Sequence, residues 1–460
     1  GNSLIGTDFY VAQKIKLIDE NEQHRVNAFD WDSGFKQIMK NGGFDVVIGN
    51  PPYVDIKSLP LSDVEYIFEE YPLSNNRINL FSAFIEKIFS LINAKYFRFS
   101  MIVPTALLTQ DSYRALRRHV IENFKISKLV RLPNELFGEK VGDVKVDTGI
   151  FVFQEKNTNK EKPVEIIGYK GYERIFKIDA KSADVFIEAK QSIWGQSNDC
   201  IWSVNTSKSD QSILQKCELK SREFSEFAEF SLGLTPYDKY KGHTQEEIKG
   251  KVFHAEFKKD ETYKKLLAGN DVLRYTINWN GTQWISYGPW LGAKREQRFF
   301  NEKRIVVKQI IDWTTKRIWA CIANDELYNT QNAFNILTKG QLELEYLLGV
   351  FNSRLITYYH KKKYLDEFKM RFQKILIKDC KRIPIHAIDL SNPAEKSGHD
   401  KMVELVNTLL ELNRQLQKTK TSQETIIIKR QVETVDVEID NLVYAFYGLT
   451  KEEIAIVENN

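Results

Sequence analysis

Along the first 156 residues the apolar positions switch between two periods. Short β-branched or aromatic runs predict strands at Val26–Phe29, Phe44–Ile48, Phe99–Val103, Lys128–Leu132 and Thr148–Gln154. Between them, apolar residues at helical spacing predict helices over Leu80–Ile92 and Ser112–Asn123. Such alternation predicts an α/β sheet covered by helices. The polar stretch EKNTNKEKP follows as a surface loop. From Ile166 to Ile385 the pattern is irregular and rich in aromatics, with strand-like pieces at Gln283–Tyr287 and Arg304–Ile311. From about Asn392 it is helical. Met402, Val403, Val406, Leu409, Leu410 and Leu416 mark one helix, and Val432, Val435, Ile439, Leu442 and Val443 the next. Gly448 stops the second, and Thr450 with Glu453 forms a capping-box pattern for a third. The expected divisions are therefore residues 1–165, 166–390 and 391–460.

One stretch breaks the pattern abruptly. Phe44–Ile48 suits a buried strand, but Asn50-Pro51-Pro52-Tyr53 follows it. The two prolines donate no backbone hydrogen bond and push the residue before each towards extended geometry. The result is a rigid, polar and aromatic shelf at the carboxyl end of a strand, where open α/β sheets bind ligands. The Asn50 side-chain oxygen and the Pro51 carbonyl can both accept from an exocyclic amine of a planar base, leaving the nitrogen lone pair free to attack a methyl group. Tyr53 can stack on that base, which would have to be flipped out of a duplex. The same four residues also suit a plain tight turn.

Composition narrows the class. A chain of 460 residues with 42% hydrophobic and 28% charged positions is ordinary globular protein of two or three domains. The net charge of +4 means that any nucleic-acid signal must be local. Cys200, Cys217, Cys321 and Cys380 are scattered without a C-x-x-C pair, which argues against a zinc ribbon or a disulfide framework. No metal site is expected. No apolar run is long enough to span a bilayer, and no signal peptide is evident, so a cytoplasmic location is expected.

FDVVIGNPPYV resembles the catalytic motif of amino-group DNA methyltransferases that act on adenine. The motif also occurs in enzymes that methylate a protein glutamine amide, but these would leave some three hundred later residues of this chain unexplained. NLFSAFIEKIF and FSMIVPTALL resemble the family's next helix and strand. NELFGEKVGDVKVDTGIFVFQEK resembles the segment whose aromatic covers the second face of the flipped adenine, which falls on Phe137. GLTPYDKYKG, NTQNAFNIL, LLGVFNSRLITYYH and IDNLVYAFYGLTKEEIAIVE resemble the specificity domain and helical tail of Taq-type enzymes, and more closely single-chain type IIG restriction–modification proteins. The resemblance implies an incomplete Rossmann-like S-adenosylmethionine-dependent methyltransferase sheet, a mixed α/β DNA specificity domain and a helical tail packed on it. It implies Asn50, Pro51, Pro52 and Tyr53 as catalytic residues, with Tyr53 and Phe137 stacking on the target base.

The family's Gly-rich cofactor turn and the acidic residue after its second strand have no counterpart here. In VNAFDW, Asp30 matches the element that contacts the cofactor's adenine, although an Asp capping a loop reads equally well. The chain is thus expected to be the carboxyl-terminal part of a larger enzyme, a site-specific adenine methyltransferase within a bifunctional restriction endonuclease. The cofactor would be S-adenosylmethionine in the full-length parent, with binding by this stretch alone doubtful and the stretch inactive alone. An upstream or separate chain would supply the cofactor motif and nuclease. Phe44–Ile48 should then border a gap, with apolar side chains uncovered, and Val26–Phe29 should be displaced, disordered or docked elsewhere.

The expected partner is double-stranded DNA. AKREQRFFNEKRIVVKQIIDWTTKR concentrates Lys294, Arg295, Arg298, Arg304, Lys308, Lys316 and Arg317 among tryptophans, and these are the expected DNA-binding residues. The alternative function is a non-catalytic module that recognises a DNA sequence and holds the base.

Overall fold

The β-branched run ahead of Asn50 becomes a short strand, β1 (Val46–Gly49), and five more strands join it: β2 (Arg98–Pro104), β3 (Phe124–Arg131), β4 (Thr148–Glu155), β5 (Val164–Gly168) and β6 (Val185–Ala189). The computed structural model describes residues 2–12, 20–74, 78–93, 95–134, 136, 146–156, 162–196, 199–204, 206–311, 315, 317–365 and 373–459. The chain divides into two compact units, Gly1–Lys208 and Ser209–Asn460.

In the first unit the strands form one mixed sheet in the order β1-β2-β4-β3-β5-β6. β1 runs parallel to β2, and β3 parallel to β5; the other pairs are antiparallel. Alternation along β2 buries Phe99, Met101 and Val103, and Phe99 stacks on its cross-strand partner Phe153 at 4.4 Å. The three longest helices among the described residues of this unit are α1 (Leu61–Glu70), α2 (Phe81–Leu91) and α3 (Arg114–Asn123). On α2, Phe81, Ile85, Ile88 and Leu91 make the buried stripe that the sequence period predicts. The unit runs well past the expected boundary at residue 165, because β5 and β6 extend the sheet.

Two strand expectations have different outcomes. Val26–Phe29 is no strand. Val26 ends a helix begun at Glu20, Asn27 turns with φ 48°, and Ala28 makes a single bridge to Asn2. Packing on α1 decides this: Val26 clusters with Ile5, Phe9 and Tyr66, while Arg25 holds the buried Asp63 through two bonds of 2.8 and 2.9 Å. β1 does form, and it is the edge of the sheet, paired with β2 alone among the described strands. Val46 is 62% exposed and Ile48 82%, so this edge carries the uncovered apolar side chains expected of it.

The second unit holds two four-stranded sheets. The strands of these two sheets are β7 (Ala228–Leu232), β8 (His254–Ala255), β9 (Tyr263–Leu267), β10 (Trp284–Ser286), β11 (Arg304–Lys308), β12 (Ala320–Ala323), β13 (Tyr328–Asn329) and β14 (Ala333–Thr338), beside two short two-stranded ladders. One sheet is ordered β12-β11-β14-β7 and the other β13-β9-β10-β8. Five helices that follow the sheet strands are α4 (Leu344–Asn352), α5 (Arg354–Tyr364), α6 (Pro393–Lys418), α7 (Ser422–Phe446) and α8 (Lys451–Glu458). Ile305, Val307, Phe334 and Ile336 of the first sheet share one core with Leu347 and Phe351 of α4, Met402, Val406 and Leu409 of α6, and Ile439 and Val443 of α7. The residues after 391 therefore belong to the same body as the strands before them. Gly448 turns with φ 63°, and the Thr450–Glu453 capping box opens α8 as its sequence predicts. Among the described residues no helix is long and apolar enough to cross a membrane.

Candidate active site and nucleic-acid interface

The shelf follows β1 directly. Asn50 and Pro52 are exposed, Pro51 is buried and Tyr53 is half-buried. The Tyr53 hydroxyl donates to the Ile102 carbonyl of β2 at 2.9 Å, which fixes the ring beside the neighbouring strand. Burial pushes this phenol up to about 12, so it stays a neutral donor near pH 7. Beyond it the chain is pinned again. Leu80 N–H donates to the Val54 carbonyl at 2.9 Å, and Ile56 N–H to the Ile78 carbonyl at 3.1 Å. The Asp55 carboxylate accepts from Lys57 N–H at 3.0 Å and caps a short 3₁₀ turn. The shelf is held at both ends. Among the described residues, no hydrogen bond engages the Asn50 carboxamide or the Pro51 carbonyl, so both acceptors remain for an amine. Phe137, the expected second wall, lies outside the described residues.

In the second unit an open cavity of about 840 Å³ is lined by Ser231, Tyr287 and the run Lys294–Arg298. Lys294 is exposed, and Arg295 is half-buried. Arg298 is bound to Glu229 at 2.5 Å and to Glu296 at 2.8 Å, so its charge is largely compensated within the unit. Lys308 lies over the Trp319 ring, its ammonium 4.5 Å from the centroid. Lys316 lies outside the described residues.

Two expected phosphate contacts are corrected. Arg304 is fully buried and donates to the carbonyls of Glu302, Asp325 and Leu327 at 3.0, 3.1 and 2.5 Å. Burial pulls its guanidinium down to about 10, still charged at neutral pH. Arg317 is also buried, bonded to Asp436, Asp440 and the Asn352 carbonyl at 3.0, 3.2 and 2.9 Å. Both arginines hold the fold together, since leaving such a charge unpaired inside costs several kcal/mol. Arg117 on α3 is likewise buried, donating to four backbone carbonyls.

Residues 3–137 match the model of the Eco57I restriction–modification methylase, and residues 264–385 that of the TaqI-like C-terminal specificity domain. The chain carries an Eco57I-type methylase domain and a TaqI-like specificity domain. It is 24% identical over 445 residues to a Methanocaldococcus jannaschii protein named as a type II restriction enzyme and methyltransferase, covering 94% of this chain and 34% of that protein. It is 21% identical over 530 residues to the type II restriction enzyme and methyltransferase RM.Eco57I of Escherichia coli, covering 100% of this chain and 50% of the relative. The chain thus spans about a third to a half of the length of these curated relatives. A solved structure of the type IIL restriction–modification enzyme MmeI in complex with DNA shares the fold, with a TM-score of 0.54 at 11% identity over 93% of this chain and 57% of that one.

In the methylase domain, Asp30 caps a short helix: one carboxylate oxygen accepts from Asp32 N–H at 2.9 Å and Ser33 N–H at 3.4 Å. Hydrogen bonds from Ser33 hold this carboxyl below its usual range. Asp30 can therefore present its second oxygen to a ligand, but an exposed β1 edge and an exposed Asn50 do not enclose one. The described residues fit one side of a cofactor site only. In the specificity domain, sequence reasoning passed over Tyr287, whose hydroxyl donates to the Arg295 carbonyl at 3.0 Å. Nothing in the local pattern distinguishes it from the other aromatics of that region.

Proposed function

We propose that this chain is the base-positioning and sequence-reading part of a site-specific adenine DNA methyltransferase in a restriction–modification system. The observation that carries the reading is the Asn50–Tyr53 shelf: two free acceptors beside a ring anchored to β2, at the carboxyl end of a sheet strand. An adenine amine donates to the Asn50 oxygen and the Pro51 carbonyl, which orients the nitrogen lone pair away from both. Tyr53 stacks on the base and keeps it out of the duplex. S-adenosylmethionine, when bound, supplies the methyl group, and Asp30 would meet its adenine. In this reading the sheet is the incomplete portion of a Rossmann-like methyltransferase fold. Lys294, Arg295 and Lys308 face the duplex from the specificity domain. The four cysteines are buried free thiols, which suits a cytoplasmic location.

The open edge of β1 favours a second reading, in which this chain reads DNA and holds the base without transferring methyl. Methylation of duplex DNA by the chain with labelled cofactor, beside calorimetric titration of the cofactor, separates the two. Transfer that disappears in Asn50→Ala while DNA binding persists supports the first. DNA binding with neither cofactor binding nor transfer supports the second, and no DNA binding at all overturns both.

A further inference from the structure

The cavity beside β10 treats one guanidinium unlike its neighbours. Arg295 has φ 59°, in the left-handed region that residues with a β-carbon rarely adopt. Its surroundings fix it there. The Tyr287 hydroxyl donates to its carbonyl at 3.0 Å, and its own Nε lies 3.5 Å from the Gly233 carbonyl. Two residues earlier, Ala293 exchanges backbone bonds of 2.8 and 2.9 Å with Thr235. Gly233 in turn approaches Thr330 so closely that a Cβ there would lie 2.1 Å from the Thr330 carbonyl oxygen. Three loops therefore form one rigid seam, and the seam imposes a strained backbone on one arginine.

The charges around it sharpen the contrast. Arg298 is bound to Glu229 and Glu296, and Arg304 is spent on carbonyls inside the fold. No carboxylate pairs with Arg295 among the described residues, so Nη1 and Nη2 remain as a two-pronged donor. A phosphate can also take such a fork, but the exposed Lys294 next to it can meet that charge from a flexible stem without a fixed backbone. A preorganised fork on a strained, pinned backbone suits a target with two acceptors at fixed spacing. Among base edges in the major groove that target is guanine O6 and N7.

We propose that Arg295 is a specificity-determining residue of this domain, reading a guanine through a bidentate contact. The proposal rests on the reading of this unit as a DNA specificity domain. Its test selects bound duplexes from a randomised pool with the wild-type chain, Arg295→Ala, Arg295→Gln and Lys294→Ala. The wild type should yield a preferred sequence containing a G·C pair whose discrimination, about ten- to a hundredfold, collapses in Arg295→Ala. The other positions should keep their preferences. Arg295→Gln keeps an unbranched stem, so it carries the test if the alanine variant melts lower, and it should move that position towards adenine. Lys294→Ala should weaken binding evenly across sequences. A consensus unchanged at every G·C position in both Arg295 variants overturns the proposal and leaves the specificity reading standing. An even loss at all positions makes Arg295 a phosphate contact and overturns it equally. A wild type with no preferred sequence overturns the specificity reading and the proposal with it.

Discussion

Arg304 offers a sharp separation of fold from DNA contact, because a basic strand residue invites either role. Its guanidinium satisfies three backbone carbonyls, and Nε lies 3.4 Å from the Asn335 side-chain oxygen. Arg304→Ala strands those acceptors in a fully buried site and leaves the volume of the side chain empty. A buried polar group without its partner costs about 1–3 kcal/mol. The carbonyls regain part of that by relaxing, and the cavity adds to it. The net loss should be about 3–5 kcal/mol, the range for breaking a buried charged network. Native-state hydrogen exchange at the β11 and β14 amides reads this directly. Those amides sit in the core and open only with their unit, so they should exchange about a hundred- to a few thousandfold faster. At a temperature where the variant is still folded, its affinity for DNA should match the wild type. Exchange within about threefold of wild type, a change well under 1 kcal/mol, together with lost DNA affinity would put Arg304 at the DNA and refute the reasoning.

The remaining predictions concern acid sensitivity, salt dependence and the shelf. His360 is buried on α5 with neither ring nitrogen hydrogen-bonded among the described residues, and burial holds its pKa down at about 3. Below about pH 6.5 the unfolded chain takes up a proton that the folded chain refuses, so stability falls with pH through the window down to about 3. In His360→Leu the urea midpoint should therefore drop less between pH 7 and pH 5 than in wild type, and equal drops would remove His360 from the account. Lys294→Ala should lower the slope of log affinity against log salt by about 0.9, one phosphate's worth, and an unchanged slope would deny the contact. Tyr53→Phe loses the bond to Ile102 and should weaken capture of a flipped base by about 1 kcal/mol, read as a proportional fall in the fluorescence of a 2-aminopurine target.

Much of the sheet was legible because its signals are local. The β-branched run of β1 and its termination by two prolines lie next to each other in the sequence, as do Thr450 and Glu453. The α2 stripe follows from its period alone. Val26–Phe29 was misread because four residues carry no period, and the packing partners that decide it, Ile5 and Tyr66, are far along the chain. The arginines failed for the same reason. Arg317 meets Asp436 and Asp440 more than a hundred residues later, and nothing near it announces an ion pair. Arg304 had one overlooked hint. It opens the apolar run Ile305–Val307, so both faces of its strand are covered. Composition marks a basic stretch but cannot tell a solvated side chain from one that holds the core.

The central claim is that the Asn50–Tyr53 shelf receives an extruded adenine. A duplex bearing the sequence that the chain selects, with 2-aminopurine at the target adenine, reports this through fluorescence once the base leaves the stack. With S-adenosylmethionine present, saturation by the wild-type chain should raise the signal well above that of the free duplex. Tyr53→Ala should bind the same duplex and lose most of that rise, as expected for a stacking contact worth about 1–3 kcal/mol. A wild-type complex that is saturated by anisotropy yet fluoresces like the free duplex would contradict the account.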